Sequence, residues 1–126
     1  MGSSMTAKEL GELGEKLACG YLVEKGYKIL GKNYRITFGE IDIIARRKNI
    51  IHFVEVKTIA INGGSFFPEE HVNYKKQRKL RNMAQIWLEK NKYPQDFPYQ
   101  IDIIGIMANE SIRLAKLHYF PNAVGG

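Results

Sequence analysis

The 126-residue sequence contains a single cysteine, Cys19, so it cannot close an internal disulfide, and a disulfide-stapled secreted scaffold is excluded. Apolar runs extend for only a few residues, far short of the roughly 20 needed for a membrane-crossing helix. No charged-then-apolar leader is present, and with the lone thiol this points to a reducing cytoplasm and no membrane association. Internal repeats and low-complexity tracts are also missing. The tetrapeptide Ile-Asp-Ile-Ile recurs at 41–44 and 101–104, but four residues in two β-rich stretches carry no repeat signal. His52, His71 and His118 have no metal-ligand spacing, which leaves histidine out of any expected metal site.

What is present has the balance of a folded domain. Hydrophobic residues make up 44% and charged residues 25%, and a chain of this length buries about two-thirds of its unfolded surface. Residues 5–124 are therefore expected to form one domain, with Met1–Ser4 ahead of Met5 reading as a cloning remnant. Nineteen Lys and Arg against thirteen Asp and Glu give a net charge of +6, which favours a polyanionic partner.

Periodicity places a first helix over about Thr6 to Lys25, with Leu10, Leu13, Leu17 and Tyr21 as its core stripe and Ala18 and Leu22 widening it. Thr6 and Glu9 have capping-box spacing, and Gly26 is placed to end the helix. An extended piece, 27–34, is followed by two β-prone runs, 40–46 and 50–58, around a polar turn at Arg47-Lys48-Asn49. A glycine-bearing loop, 61–68, leads to a second helix starting at Glu70 or Asn73 and ending near Lys90. Leu80, Met83, Ala84, Trp87 and Leu88 form its apolar face. Two further strands, 101–107 and 112–118, complete the order α-β-β-β-α-β-β, an α/β fold with a mixed central sheet flanked by helices.

The chemistry concentrates in Gly39-Glu40-Ile41-Asp42 and Phe53-Val54-Glu55-Val56-Lys57. A two-residue turn at Lys48-Asn49 would set Ile43 opposite Val54, Asp42 opposite Glu55 and Glu40 opposite Lys57, all four polar side chains on one sheet face. Two carboxylates about 5 Å apart repel by ~3 kcal/mol at an effective dielectric near 20. A protonated acid, the Lys57 ammonium or a divalent cation would relieve that repulsion, and hard oxygen donors suit Mg2+ or Mn2+. A pair of salt bridges built on Glu40 and Lys57 explains the same residues without a ligand.

The ordered strings Gly11-Glu12-Leu13-Gly14-Glu15-Lys16-Leu17-Ala18, Asn33-Tyr34-Arg35, Gly39-Glu40-Ile41-Asp42 and Phe53-Val54-Glu55-Val56-Lys57 resemble the YraN-like family. Val72, Lys76-Gln77-Arg78 and Asn122-Ala123 extend the likeness over 9–124. That resemblance implies a restriction-endonuclease-like fold of the PD-(D/E)xK nuclease superfamily, similar to archaeal Holliday-junction resolvases. It implies a Mg2+ or Mn2+ site at Asp42, Glu55 and the Val56 carbonyl, with Lys57 as the site lysine, Glu15 reaching in from the first helix and Glu40 behind them. It also implies DNA as partner, with branched or single-strand-containing DNA such as junctions or flaps as substrate. Cutting both arms of a junction would need a homodimer, and a subunit that places a helicase or recombination partner on DNA is a third reading. Two family arginines are missing, with Ile59 and Gln100 in their places. A nucleic-acid-binding module with little turnover is the alternative this departure supports.

Other residues read less sharply. From helix periodicity alone, Glu15 lies off the leucine stripe and reads as solvated. Lys75, Lys76, Arg78, Lys79 and Arg81, with Gln77 among them, crowd the start of the second helix. Cations there oppose the helix dipole, which favours contact with a phosphate backbone. His52 falls on the sheet face opposite the acids and reads as structural or exposed. Cys19 and Trp87 read as core, Tyr34, Phe38, Phe66 and Phe67 as rings able to stack on bases, and residues 61–72 as a mobile substrate loop.

Overall fold

A computed structural model describes residues 5–60, 74–109 and 114–123, and at Tyr74 and Lys75 the backbone alone. The expected substrate loop, with Phe66, Phe67 and His71, and the Lys75 side chain lie outside the described residues.

Helix α1 runs Ala7–Glu24. Thr6 Oγ1 accepts from Glu9 N–H and Glu9 returns a carboxylate to Thr6 N–H, so the expected capping box forms. At the other end Gly26 adopts φ +92°, Tyr27 N–H reaches Leu22 O and Gly26 N–H reaches Val23 O. This is a Schellman stop, which needs the left-handed conformation that glycine accepts freely. The strands are β1 (Lys28–Ile36), β2 (Gly39–Arg47) and β3 (Ile50–Ala60), then helix α2 (Tyr74–Lys90), β4 (Tyr99–Asn109) and β5 (Leu114–Phe120). The sheet order is β1-β2-β3-β4-β5, antiparallel except for the β3–β4 pair, and β1 carries a register shift between Ile29 and Gly31. Five mixed strands with a helix on each face form an α/β fold consistent with the restriction-endonuclease-like architecture.

Two cores result, one per sheet face. On the α2 side Ile44, Ile51, Phe53 and Ile103 meet Leu80, Met83, Ala84, Trp87 and Leu88, the same helix face that periodicity marks. On the α1 side Ile43, Val54, Ile104 and Ile106 meet Ala18, Leu22 and Tyr27. Here the expected stripe is corrected in part: Ala18 and Leu22 are buried as expected, Gly14 joins them, and Leu17 is 37% exposed. Small residues face the sheet because the helix lies close to it. A Cβ on Gly14 would stand 1.8 Å from Thr58 Oγ1, so only glycine fits this approach.

The α1-side core also holds a buried polar knot. Asp102, fully buried on β4, accepts from His52 Nδ1 at 2.7 Å, Tyr119 OH at 2.6 Å, Gln100 Nε2 at 2.7 Å and Asn122 N–H at 2.7 Å. Burial alone would raise its pKa, but these four donors outweigh it and hold the carboxyl below its usual range. His52 is thus a structural residue on the face opposite the acids. Gln100 serves this knot, donating where the family arginine is absent.

Helix propensity alone favours alanine over glycine by ~1 kcal/mol, yet overpacking costs ~1–3 kcal/mol. Gly14→Ala should therefore lower stability by about 1 kcal/mol in urea denaturation. Adding Thr58→Ala, which removes the colliding hydroxyl, should restore most of the loss; an additive double variant would refute the close-approach account.

Candidate active site

The β2–β3 ladder runs from Arg47↔Ile50 to Ile43↔Val54, the register expected from a two-residue turn. Beyond that pair the strands separate: β2 continues against β1 to Gly39, while β3 continues against β4 to Ala60. Asp42 stands in the crotch of this fork. Its Oδ2 accepts the Val56 N–H at 2.7 Å, replacing the ladder bond that parting removes. The expected opposition of Glu40 and Lys57 does not form, because pairing ends before reaching them. Glu40 instead lies 3.5 Å from Arg35 Nε in an exposed pair, the kind worth little to stability.

Four carboxylates converge near the fork. Oxygens of Glu15, Glu40 and Asp42 lie within 4.8 Å of one another, and Glu55 is near enough for its charge to act on Asp42. Glu15 arrives from α1, so the solvated reading of this residue is corrected. With Gly14, Ala18 and Leu22 as the buried stripe, half-buried Glu15 sits three residues before Ala18 and seven before Leu22, on the flank of the inward face. Asn33 was given no role by the sequence. It occupies a left-handed conformation, φ +51°, between the Lys32↔Ile43 and Tyr34↔Ile41 pairs and so opposite Asp42. With its amide nitrogen turned inward it donates to Glu15 Oε1 at 2.9 Å and Glu40 Oε1 at 3.1 Å. The sequence carries no signal for this role, because the positive φ that favours asparagine here is a property of the folded backbone.

On the α2 side Glu40, Asp42 and Glu55 floor a cleft of about 430 Å³ whose wall includes Lys76, Lys79 and Met83. Gly39 lets α2 approach this wall, since a Cβ there would lie 2.7 Å from Met83 Sδ. Lys76 Nζ bonds Glu55 Oε1 at 2.7 Å, so one member of the basic stretch points into the acid site. Arg78 and Lys79 are exposed, whereas Gln77 and Arg81 are half-buried. Lys57 is exposed on β3, two residues beyond Glu55, and makes no ion pair among the described residues. Ile59 is half-buried in the same strand. Tyr34 packs against the α2-side core with its hydroxyl buried, so base stacking by this ring is corrected, whereas Phe38 is 44% exposed.

The electrostatics are unusual for a carboxyl group. Burial first, then the charge of Glu55, and less strongly Glu15 and Glu40, push Asp42 from 3.8 up to about 7 despite the Val56 N–H.

Residues 14–106, the span holding every acid of the cluster, match the profile described as Uncharacterised protein family UPF0102. The chain belongs to that family. A UPF0102 protein of Caldanaerobacter subterraneus subsp. tengcongensis is 44% identical over 118 residues, covering 92% of this chain and 94% of its own. A UPF0102 protein of Thermodesulfovibrio yellowstonii is 47% identical over 102 residues, covering 81% and 88%. Among solved structures, Pyrococcus furiosus SfsA in complex with Ca2+ aligns at TM-score 0.39 and 14% identity, over 89% of this chain and 62% of that one. A likeness that distant carries no argument.

For this UPF0102 chain the raised Asp42 pKa makes a stability statement. An acid whose folded pKa exceeds its unfolded value loses stability as pH rises between the two, here from about 4 to about 7. In EDTA, Asp42→Asn keeps an oxygen acceptor for Val56 N–H and removes the charge. Its melting temperature should exceed that of the parent by about 5 °C or more at pH 8, with the gap shrinking towards pH 4. Equal melting curves across that range would refute the buried-charge account.

Proposed function

We propose that this protein is a metal-dependent nuclease that hydrolyses DNA phosphodiester bonds, with branched or single-strand-containing DNA as its substrate class. The observation that carries the reading is the convergence of Glu15, Glu40 and Asp42, two of which lie with Glu55 at the floor of a cleft walled by lysines. A carboxylate cluster within such a span is an all-oxygen donor set, and it fits Mg2+ or Mn2+ better than a softer metal. Asp42 and Glu55, with the Val56 carbonyl, would hold the cation, and Glu15 and Glu40 would complete or support its shell. When bound, the cation supplies charge for the phosphate and a more acidic water.

The chain's own residues supply the rest. Asn33 fixes the directions of Glu15 and Glu40 from behind. Lys57, on the strand that carries Glu55, would orient the attacking water or face the charge growing on the phosphate. Lys79 at the cleft wall and Arg78 near it give the polyanion backbone its contacts without reading bases. A binding module with little turnover is the second reading, favoured by Ile59 where the family carries arginine.

The test is cleavage of labelled single-stranded, duplex, flap and four-way-junction DNA in Mn2+. At least one substrate should be cut, with activity abolished by EDTA and reduced by about 100-fold or more in Asp42→Asn and Glu55→Gln. Tight binding without cleavage of any of the four would transfer the assignment to the binding module. Separately, Asn33→Ala should weaken Mn2+ binding by about 10-fold or more in calorimetry, as removal of a group orienting metal ligands does; unchanged affinity would remove Asn33 from the site.

A further inference from the structure

The contact between α2 and the acid site has a consequence for how a cation and a polyanion share the cleft. Glu55 is the most enclosed member of its ion pair, with a side chain 15% exposed against 42% for Lys76, and the Nζ–Oε1 separation is 2.7 Å. An ammonium at that distance occupies an oxygen that a cation would need, and it neutralises one charge of a crowded carboxylate cluster. A lysine head group is a compact charge on a flexible four-carbon stem, so it can leave this partner without any movement of α2. The solvent-open side of the same cleft carries Lys79, where a phosphate backbone would run.

We propose that Lys76 and a divalent cation compete for Glu55, so that cation binding passes the Lys76 ammonium from the carboxylate to a phosphate of the bound polynucleotide. This rests on the metal site proposed above and adds to it a regulation of that site. In the metal-free protein Lys76 is the resident counter-ion of Glu55. A polynucleotide that draws Lys76 away leaves Glu55 uncompensated, and a cation that takes Glu55 leaves Lys76 ready for phosphate. Each ligand therefore strengthens the other, and the coupling is reciprocal.

The experiment measures Mn2+ binding calorimetrically without nucleic acid in the parent protein, Lys76→Met and Lys79→Met. Both substitutions delete one positive charge from the same cleft, but only the first removes the Glu55 contact. Lys76→Met should bind Mn2+ about tenfold more tightly than the parent, and Lys79→Met no more than about threefold. In a second arm, anisotropy of a labelled phosphorothioate 20-mer is followed with and without Mn2+. The cation should raise oligonucleotide affinity more in the parent than in Lys76→Met. Equal Mn2+ affinities in the two variants, or equal enhancement of oligonucleotide binding with and without Lys76, would overturn the competition while leaving the metal site standing. If none of the three proteins takes up Mn2+, the metal reading itself fails and the competition falls with it.

Discussion

A single hydrogen bond, from Val56 N–H to Asp42 Oδ2, holds the fork of the sheet in place. Where β2 and β3 separate, each loses a ladder partner, and a buried N–H left unpaired costs as much as a lost hydrogen bond. Asp42 satisfies that donor with its side chain, which fixes the carboxylate in the one place where the sheet opens. The cleft, the approach of α2 over Gly39 and the inward reach of Glu15 all assume this opening. The electrostatic crowding of the site is thus a product of backbone topology, since the parting that makes room for a ligand also places the acid there.

Buried Asp102 and half-buried Asp42 show how differently one side-chain type can be treated. Asp102 has four donors and no acidic neighbour among the groups that set its pKa, and its charged form is favoured. Asp42 has one donor and three nearby carboxylates, and its charged form is disfavoured. The first arrangement ties β3, β4, β5 and the turn at Asn122 into one unit. The second leaves an unsatisfied electrostatic demand, and the site is destabilised as Asp42 ionises.

Much of this arrangement could be read from the residues themselves. The element order, the two-residue turn at Lys48-Asn49 and the α2 core face follow from hydrophobic period and turn chemistry, which are local. What escaped depended on how near one element lies to another. The leucines of α1 outweighed Gly14 as a core signal, although small residues mark a helix pressed against a sheet, and periodicity alone left Glu15 off the inward face with it. The end of pairing after Ile43↔Val54 was equally hidden, because strand alternation gives no notice of where two strands change partners. Lys76 sits at the N-terminal extension of the Leu80–Met83–Trp87 stripe, where a charge among inward positions signals a partner inside. Asn33 needed its backbone angle to be seen.

The outer strands give the protein's basic surplus a second use. Among the described residues β1 and β5 each have one side without a strand beside it in the sheet, and an open row of backbone donors and acceptors invites another copy to pair there. On β1 the exposed Lys28, Lys32 and Arg35 accompany a register break at Ile29–Gly31, and on β5 Lys116 is exposed between Ala115 and Leu117. Charges and an irregular backbone are the usual protection against edge-to-edge aggregation. Part of the net charge of +6 therefore lies on the edges of the sheet, where it disfavours pairing between copies.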